Sequence, residues 1–145
     1  MSIDGLSDDT VRQVLSETRR IALVGASANP ARPSNGVMRF LLQRGFEVTP
    51  VNPGLAGQAI HGRTVVASLE DAGPLDMVDV FRARQHVGPL MDEAIRLGAK
   101  TVWLQLGVIN PPAAEAGRAA GLTVVVDRCP AIEWPRLGMP SRIPG

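Results

Sequence analysis

Residues able to do chemistry gather in five short segments, each directly behind an apolar run. The first holds Gly25, Ala26, Ser27, Asn29, Arg32, Ser34, Asn35 and Gly36. A glycine just after an apolar run lets an anion approach the chain. Backbone N–H groups and the N-terminus of a following helix supply positive potential, and serine hydroxyls and a guanidinium add donors. This is phosphate chemistry, although neither G-x-G-x-x-G nor G-K-[ST] is present. The plainer alternative is a glycine for the turn and serines as helix caps. The second segment is Val51-Asn52-Pro53. NAD-binding domains place an acid here for the ribose diol. An amide does not repel a phosphorylated ribose, so the position argues against NAD and leaves NADP or another phosphorylated nucleotide open. Asn52 also reads simply as the start of a turn.

The third segment, Phe81-Arg82-Ala83-Arg84, joins a ring able to pack on a purine with two cations. Cations at a helix start are mildly unfavourable unless an anion is near. The fourth offers Gln105 and Gly107, and the fifth Asp127-Arg128-Cys129-Pro130. Cys129 reads either as an inert half-buried thiol or as one that meets a ligand. His61 and His86 have no partner at metal-motif spacing. Ser27 is outside G-x-S-x-G, and no His-Asp pair can be assigned to it. Glu115 and Glu133 read as surface or salt-bridge acids.

The elements that must position these segments alternate. Ser7-Asp8-Asp9 starts a helix, with Ser7 as N-cap and Val11, Val14, Leu15 and Thr18 on one face. Apolar runs at 21–24, 46–51, 77–81, 101–104 and 123–126 predict strands, with Pro50 expected to fray the second. Helices are predicted over 34–44, 87–97 and 111–120, the last with proline in its first turn, and a short one over 68–72. Residues 52–64 read as loop. Strands alternating with helices mean right-handed parallel βαβ crossovers. The expectation is an α/β, three-layer αβα, doubly wound parallel sheet of five strands, Rossmann-like, in the order 3-2-1-4-5. One domain spans 1–145, with an N-terminal helical segment (1–18) and a tail (128–145) wrapping the surface. Ligands of such sheets bind outside the carboxyl ends of the strands, where strand order reverses.

Composition narrows the function classes. The 145 residues are 45% apolar and 20% charged, an ordinary globular balance. A net charge of +1 gives no global field toward nucleic acid or membrane. Positive charge is almost all arginine, since Lys100 is the only lysine. A lone cysteine and an N-terminus without an apolar run, carrying Asp4, Asp8, Asp9 and Glu17, suit a cytoplasmic protein without signal peptide.

The loops together resemble a family. Val24-Gly25-Ala26-Ser27 with Asn29-Pro30, Arg32, Ser34 and Gly36-Val37 is similar to the small stand-alone CoA-binding domain proteins. So are Pro50-Val51-Asn52-Pro53 with Ile60 and Gly62, and Val78-Asp79-Val80-Phe81-Arg82. Gly98 to Gln105, Gly107-Val108 and Asp127-Arg128-Cys129 complete the set. The similarity covers residues 18 to 137 in order. The same fold forms the nucleotide half of the succinyl-CoA synthetase α subunit. The resemblance implies a Rossmann-like domain that binds coenzyme A or an acyl-CoA without established catalysis. It implies that the Gly25–Gly36 loop holds the pyrophosphate and that Val51, Asn52 and Pro53 border the adenosine. It places Phe81 and Arg82 at the adenine or its phosphates, and Gln105 and Gly107 along the pantetheine arm. The synthetase's second domain, with its phosphorylated histidine, has no counterpart here, so ligation of acids to CoA by this chain alone is not expected. A homo-oligomer, an acyl-CoA enzyme partner and an NADP-dependent oxidoreductase-like role remain open.

Overall fold

The computed structural model describes residues 3–143; residues 1–2 and 144–145, the outer ends of the helical segment and tail, lie outside the described residues. The first helix, α1 (Asp8–Glu17), starts as its sequence predicts. Ser7 Oγ accepts from the Thr10 N–H, Asp8 and Asp9 sit in the first turn, and Val11, Val14 and Leu15 are buried. There follow β1 (Arg20–Val24), α2 (Pro33–Gln43), β2 (Glu47–Val51), β3 (Ala59–Ile60), β4 (Arg63–Thr64), β5 (Met77–Val80), α3 (Val87–Arg96), β6 (Thr101–Leu104), α4 (Pro111–Ala119), β7 (Thr123–Val126) and α5 (Pro130–Arg136). Single 3₁₀ turns stand at Pro53–Leu55, Glu70–Ala72 and Arg84–His86.

The main sheet is parallel, in the order β2-β1-β5-β6-β7. Beyond β2, Val66 makes a parallel bridge to Val51. That one-residue bridge occupies the outermost place, so the 3-2-1-4-5 winding is present with β5 in its fourth position and β7 added beyond. Strand order reverses between β1 and β5, the neighbouring carboxyl ends where ligands of such sheets sit. The segment 52–64, read as loop, also contains the small antiparallel hairpin of β3 and β4.

Alternation along each strand splits the core in two. Ile21, Leu23, Met77, Trp103 and Val125 pack under α1, α2 and α5. Ala22, Val24, Val78, Val80, Val102 and Val126 pack under α3 and α4. These two apolar faces are why the strands read as continuous hydrophobic runs. On the second face α4 lies close: a Cβ on Gly117 would stand 2.7 Å from Met91 Sδ and 2.8 Å from Val124 Cγ2.

Two expectations are corrected. Pro50 does not fray β2; it stays in register opposite Leu23, and Val51 continues the pairing opposite Val24. The Pro50 carbonyl faces outward to the Val66 N–H, so the absent N–H lies on the edge where no ladder bond is needed. The tail does not simply wrap the surface. Residues 130–136 form α5, with Pro130 at its start, Trp134 buried edge-on against Phe46, and Leu137 buried beyond it.

Arg128 fixes this end of the fold. Its guanidinium meets both Asp4 oxygens at 2.8 Å, Glu133 Oε1 at 2.6 Å and the Leu6 carbonyl at 3.1 Å. Burial opposes a charge on Glu133, but hydrogen bonds from Arg136 and Arg128 hold its carboxyl below the usual range. Trp103 Nε1 donates to the Arg128 carbonyl at 2.8 Å.

Candidate functional site

At the carboxyl edge of β1, β2, β5 and β6 the strand ends diverge around a cavity of about 910 Å³. That is the size of a cleft for a cofactor-sized ligand, about 300–1,000 Å³. Each expected loop reaches it, though not every expected residue.

From the loop after β1, Gly25, Ala26, Ser27, Arg32 and Ser34 line the cavity. Gly25 has φ +87°, and a Cβ there would stand 2.5 Å from the Phe81 carbonyl oxygen. Only glycine lets β1 turn away so close to the end of β5. The Gly25 and Ala26 amides both donate to the Val51 carbonyl, at 3.1 and 3.3 Å. They are therefore not the anion donors the sequence suggested, and the polar contribution of the loop starts at Ser27. Asn29, Asn35 and Gly36 are not on the wall. Asn29 accepts from the Ala31 N–H and shapes the turn. Asn35 is buried; its Nδ2 donates to the Ser27 carbonyl at 2.9 Å, and His61 Nε2 stands 3.0 Å from its Oδ1. Gly36 is exposed on α2.

After β2, Val51, Asn52 and Pro53 line the cavity. Asn52 spans two loops, donating to the Ala26 carbonyl at 2.8 Å and accepting from the Gly54 N–H at 2.9 Å. It braces the wall and also explains why no carboxylate stands here. After β5, Phe81 and Arg82 line the cavity, while Arg84 is exposed and off the wall. Among the described residues Arg32 and Arg82 make no ion pair. After β6, Gln105 and Gly107 line it, and the Gly107 N–H donates to Asp127 Oδ1 at 2.8 Å.

The sequence reading missed part of the wall. Ser68 and Leu69 near the 3₁₀ turn, Leu90 and Glu93 on α3, and Leu106 and Val108 all line the cavity. Their signal is weak, because a short apolar-polar alternation does not say which side faces a neighbour.

It also passed over Asp79, on β5. This carboxyl is fully buried between Leu23 and Trp103 on the neighbouring strands. Gln105 Nε2 donates to its Oδ1 at 2.6 Å, and its Oδ2 has no partner. Burial pushes the Asp79 carboxyl up to about 7, against a smaller opposing effect of the Gln105 hydrogen bond. A raised acid binds its proton more tightly in the folded chain than in the unfolded one. Its favourable contribution is thus full below the unfolded pKa, near 4, and is lost as pH rises through about 7. Asp79→Asn is expected to be more stable than the parent at pH 8, by on the order of 2 kcal/mol, with the difference vanishing below about pH 4. Urea unfolding at the two pH values reads this directly.

Residues 19–135 match the CoA binding domain family. The chain belongs to that family. It is 33% identical over 119 residues to YneT of Bacillus subtilis (strain 168), an uncharacterised protein, covering 82% of this chain and 87% of YneT. The structure of a hypothetical protein from Pyrococcus horikoshii OT3 superposes with TM-score 0.89 at 38% identity, covering 94% of this chain and 96% of that one. A dinucleotide-forming acetyl-coenzyme A synthetase 1 of Ca. Korarchaeum cryptofilum shares the fold alone, with TM-score 0.65 at 19% identity over 79% of this chain and 27% of the synthetase. Among the described residues no helix is long and apolar enough to cross a membrane.

Proposed function

We propose that the chain binds coenzyme A or an acyl-CoA in the cavity at the β1/β5 edge, as a binding module rather than as a ligase. The observation that carries this reading is a 910 Å³ cavity at the strand-order reversal, in a chain of the CoA binding domain family, with Arg32 and Arg82 on its wall and neither in an ion pair among the described residues. The pyrophosphate lies along Ser27, Arg32 and Ser34, where Gly25 keeps the backbone low and the N-terminus of α2 adds positive potential. Val51, Asn52 and Pro53 border the adenosine. Phe81 packs against the base, and Arg82 answers the phosphates with a planar fork. Gln105 and Gly107 run beside the pantetheine arm. Asn29, Asn35 and Gly36 act by shaping the loop.

Calorimetry with CoA and with dephospho-CoA tests the reading. The expected result is CoA binding that weakens when the 3′-phosphate is removed. Arg82→Ala is expected to lose roughly tenfold in CoA affinity, equivalent to about 1.4 kcal/mol. The loss is smaller against dephospho-CoA if Arg82 faces the 3′-phosphate and equal if it faces the pyrophosphate. No heat with millimolar CoA rejects the proposal.

A further inference from the structure

A hydrogen-bonded chain runs from the small hairpin into the ligand loop. His61 Nε2 stands 3.0 Å from both the carbonyl oxygen and Oδ1 of Asn35, in the first turn of α2. Asn35 Nδ2 donates to the Ser27 carbonyl at 2.9 Å, and Ser27 lines the cavity. A main-chain carbonyl can only accept. The Ser27 carbonyl therefore fixes Nδ2 as the donating end of the Asn35 amide and Oδ1 as the accepting end. Both neighbours of His61 Nε2 are then acceptors, so Nε2 carries the proton. We propose that His61 is a positioning residue of the ligand site: its Nε2–H locks the Asn35 amide, which holds the Ser27 carbonyl away from the bound phosphates. This rests on the reading above that the cavity takes CoA, and it adds to that site a residue from outside the cavity wall.

The turn that carries His61 does not itself call for histidine. β3 and β4 are joined by the two-residue turn His61-Gly62, with φ +48° and +79°. Such turns favour Asn, Asp or Gly at the first position; histidine is tolerated there. What histidine adds is reach, since its Nε2 lies farther from the backbone than the Nδ2 of an asparagine. The hairpin is already anchored without it, because Ile60 and Val65 are buried in the core on the α2 side of the sheet. In the ligand loop, two successive carbonyls are withheld from the cavity. The Ala26 carbonyl accepts from Asn52 Nδ2 at 2.8 Å, and the Ser27 carbonyl accepts from Asn35 Nδ2. Ser27 Oγ accepts from the Asn29 N–H at 3.1 Å, which leaves the hydroxyl proton to give to an anion. If the Asn35 amide turned over, Oδ1 would face the Ser27 carbonyl, and their repulsion would displace the residue that bears this donor. His61 opposes the turnover, because its N–H would then face the amide NH₂. His61 is exposed, so water competes for its hydrogen bonds and the expected effect is moderate.

Calorimetry of the whole chain with CoA, run beside thermal unfolding, compares His61→Gln, His61→Asn and His61→Phe with the wild type. His61→Gln keeps an N–H donor at the same reach and is expected to hold CoA affinity within about twofold. His61→Asn suits the turn but falls short of Asn35, and His61→Phe keeps a ring without a donor. Both are expected to lose roughly fivefold in CoA affinity, the worth of one net hydrogen bond, and His61→Asn to do so without losing stability. The loss then follows the donor and not the firmness of the hairpin. Imidazole nitrogen NMR of the wild-type chain gives a readout that needs no variant: the neutral His61 ring is expected to carry its proton on Nε2, both free and with CoA bound. A proton on Nδ1 overturns the inference. So does wild-type affinity in His61→Asn and His61→Phe, or a loss in His61→Gln as large as theirs; each of these leaves the CoA reading intact. No binding of CoA by the wild-type chain overturns that reading and this one with it.

Discussion

Gly25→Ala is expected to cost the chain about 3 kcal/mol or more of stability and to abolish ligand binding in whatever fraction stays folded. The two effects share one cause. At φ +87° an L-residue is strained, and the added methyl would meet the Phe81 carbonyl oxygen at 2.5 Å and its carbon at 2.9 Å. Those are backbone atoms, so no rotamer change relieves the clash. Relief requires β1 and β5 to part at their carboxyl ends, where the Phe81 N–H also donates to the Val24 carbonyl at 2.8 Å. Parting them displaces Phe81 and Arg82 relative to Ser27 and Ser34, all of which line the cavity. Denaturant unfolding with CoA titration checks both halves. Near-parental stability together with unchanged affinity would show that the loop is not the pivot of the site.

Arg128→Met is expected to destabilise by about 3–5 kcal/mol, the usual cost of removing one partner from a buried charge network. Methionine preserves much of the stem's packing, so the loss comes from the carboxylates left behind. Asp4 would keep its hydrogen bonds from the Leu6 and Val126 N–H groups, at 2.9 and 3.0 Å, while losing the guanidinium that meets both its oxygens. Glu133 would keep Arg136 at 2.7 Å. The loss should shrink in acid, where the stranded carboxylates take up protons. Cys129 follows Arg128 directly and α5 starts at Pro130, so the variant should also loosen the cavity floor. Thermal unfolding at pH 7 and pH 4 reads the effect. A cost below about 1 kcal/mol at neutral pH would place the network among ion pairs of little net worth.

Much of this architecture is written in local chemistry. Apolar runs cut by glycine gave strands and turns within a residue or two, because a strand buried on both faces has few other ways to read. The place of each strand in the sheet was less legible. Nothing in Val65-Val66 marks a single bridging residue, so β5 read as the third strand although it fills the fourth position. Helix α5 was hidden by Pro130 and Pro135, which suggested an irregular tail. Yet proline suits the first turn, as Pro130 does here, while Pro135 sits inside the helix and supplies no N–H for the Ala131 carbonyl.

Within the site, loop position was legible and side-chain direction was not. Ser27 and Asn29 are two residues apart, but one lines the cavity and the other folds back on its own turn. Asn52 looked like either a ribose partner or a turn residue; its amide proves to be spent on Ala26 and Gly54. Asp79 carried a readable signal. A carboxylate inside Met77-Val78-Asp79-Val80, a run expected to be buried on both faces, already conflicts with the cost of burying a charge. That conflict marks the buried acid beneath the cavity.

Native mass spectrometry of the chain with equimolar CoA, dephospho-CoA, NAD and NADP in competition reads which nucleotide the cavity prefers. The expected result is a 1:1 complex with CoA per chain in preference to the other three. Preferential binding of NADP, or no complex with any of the four, would contradict it.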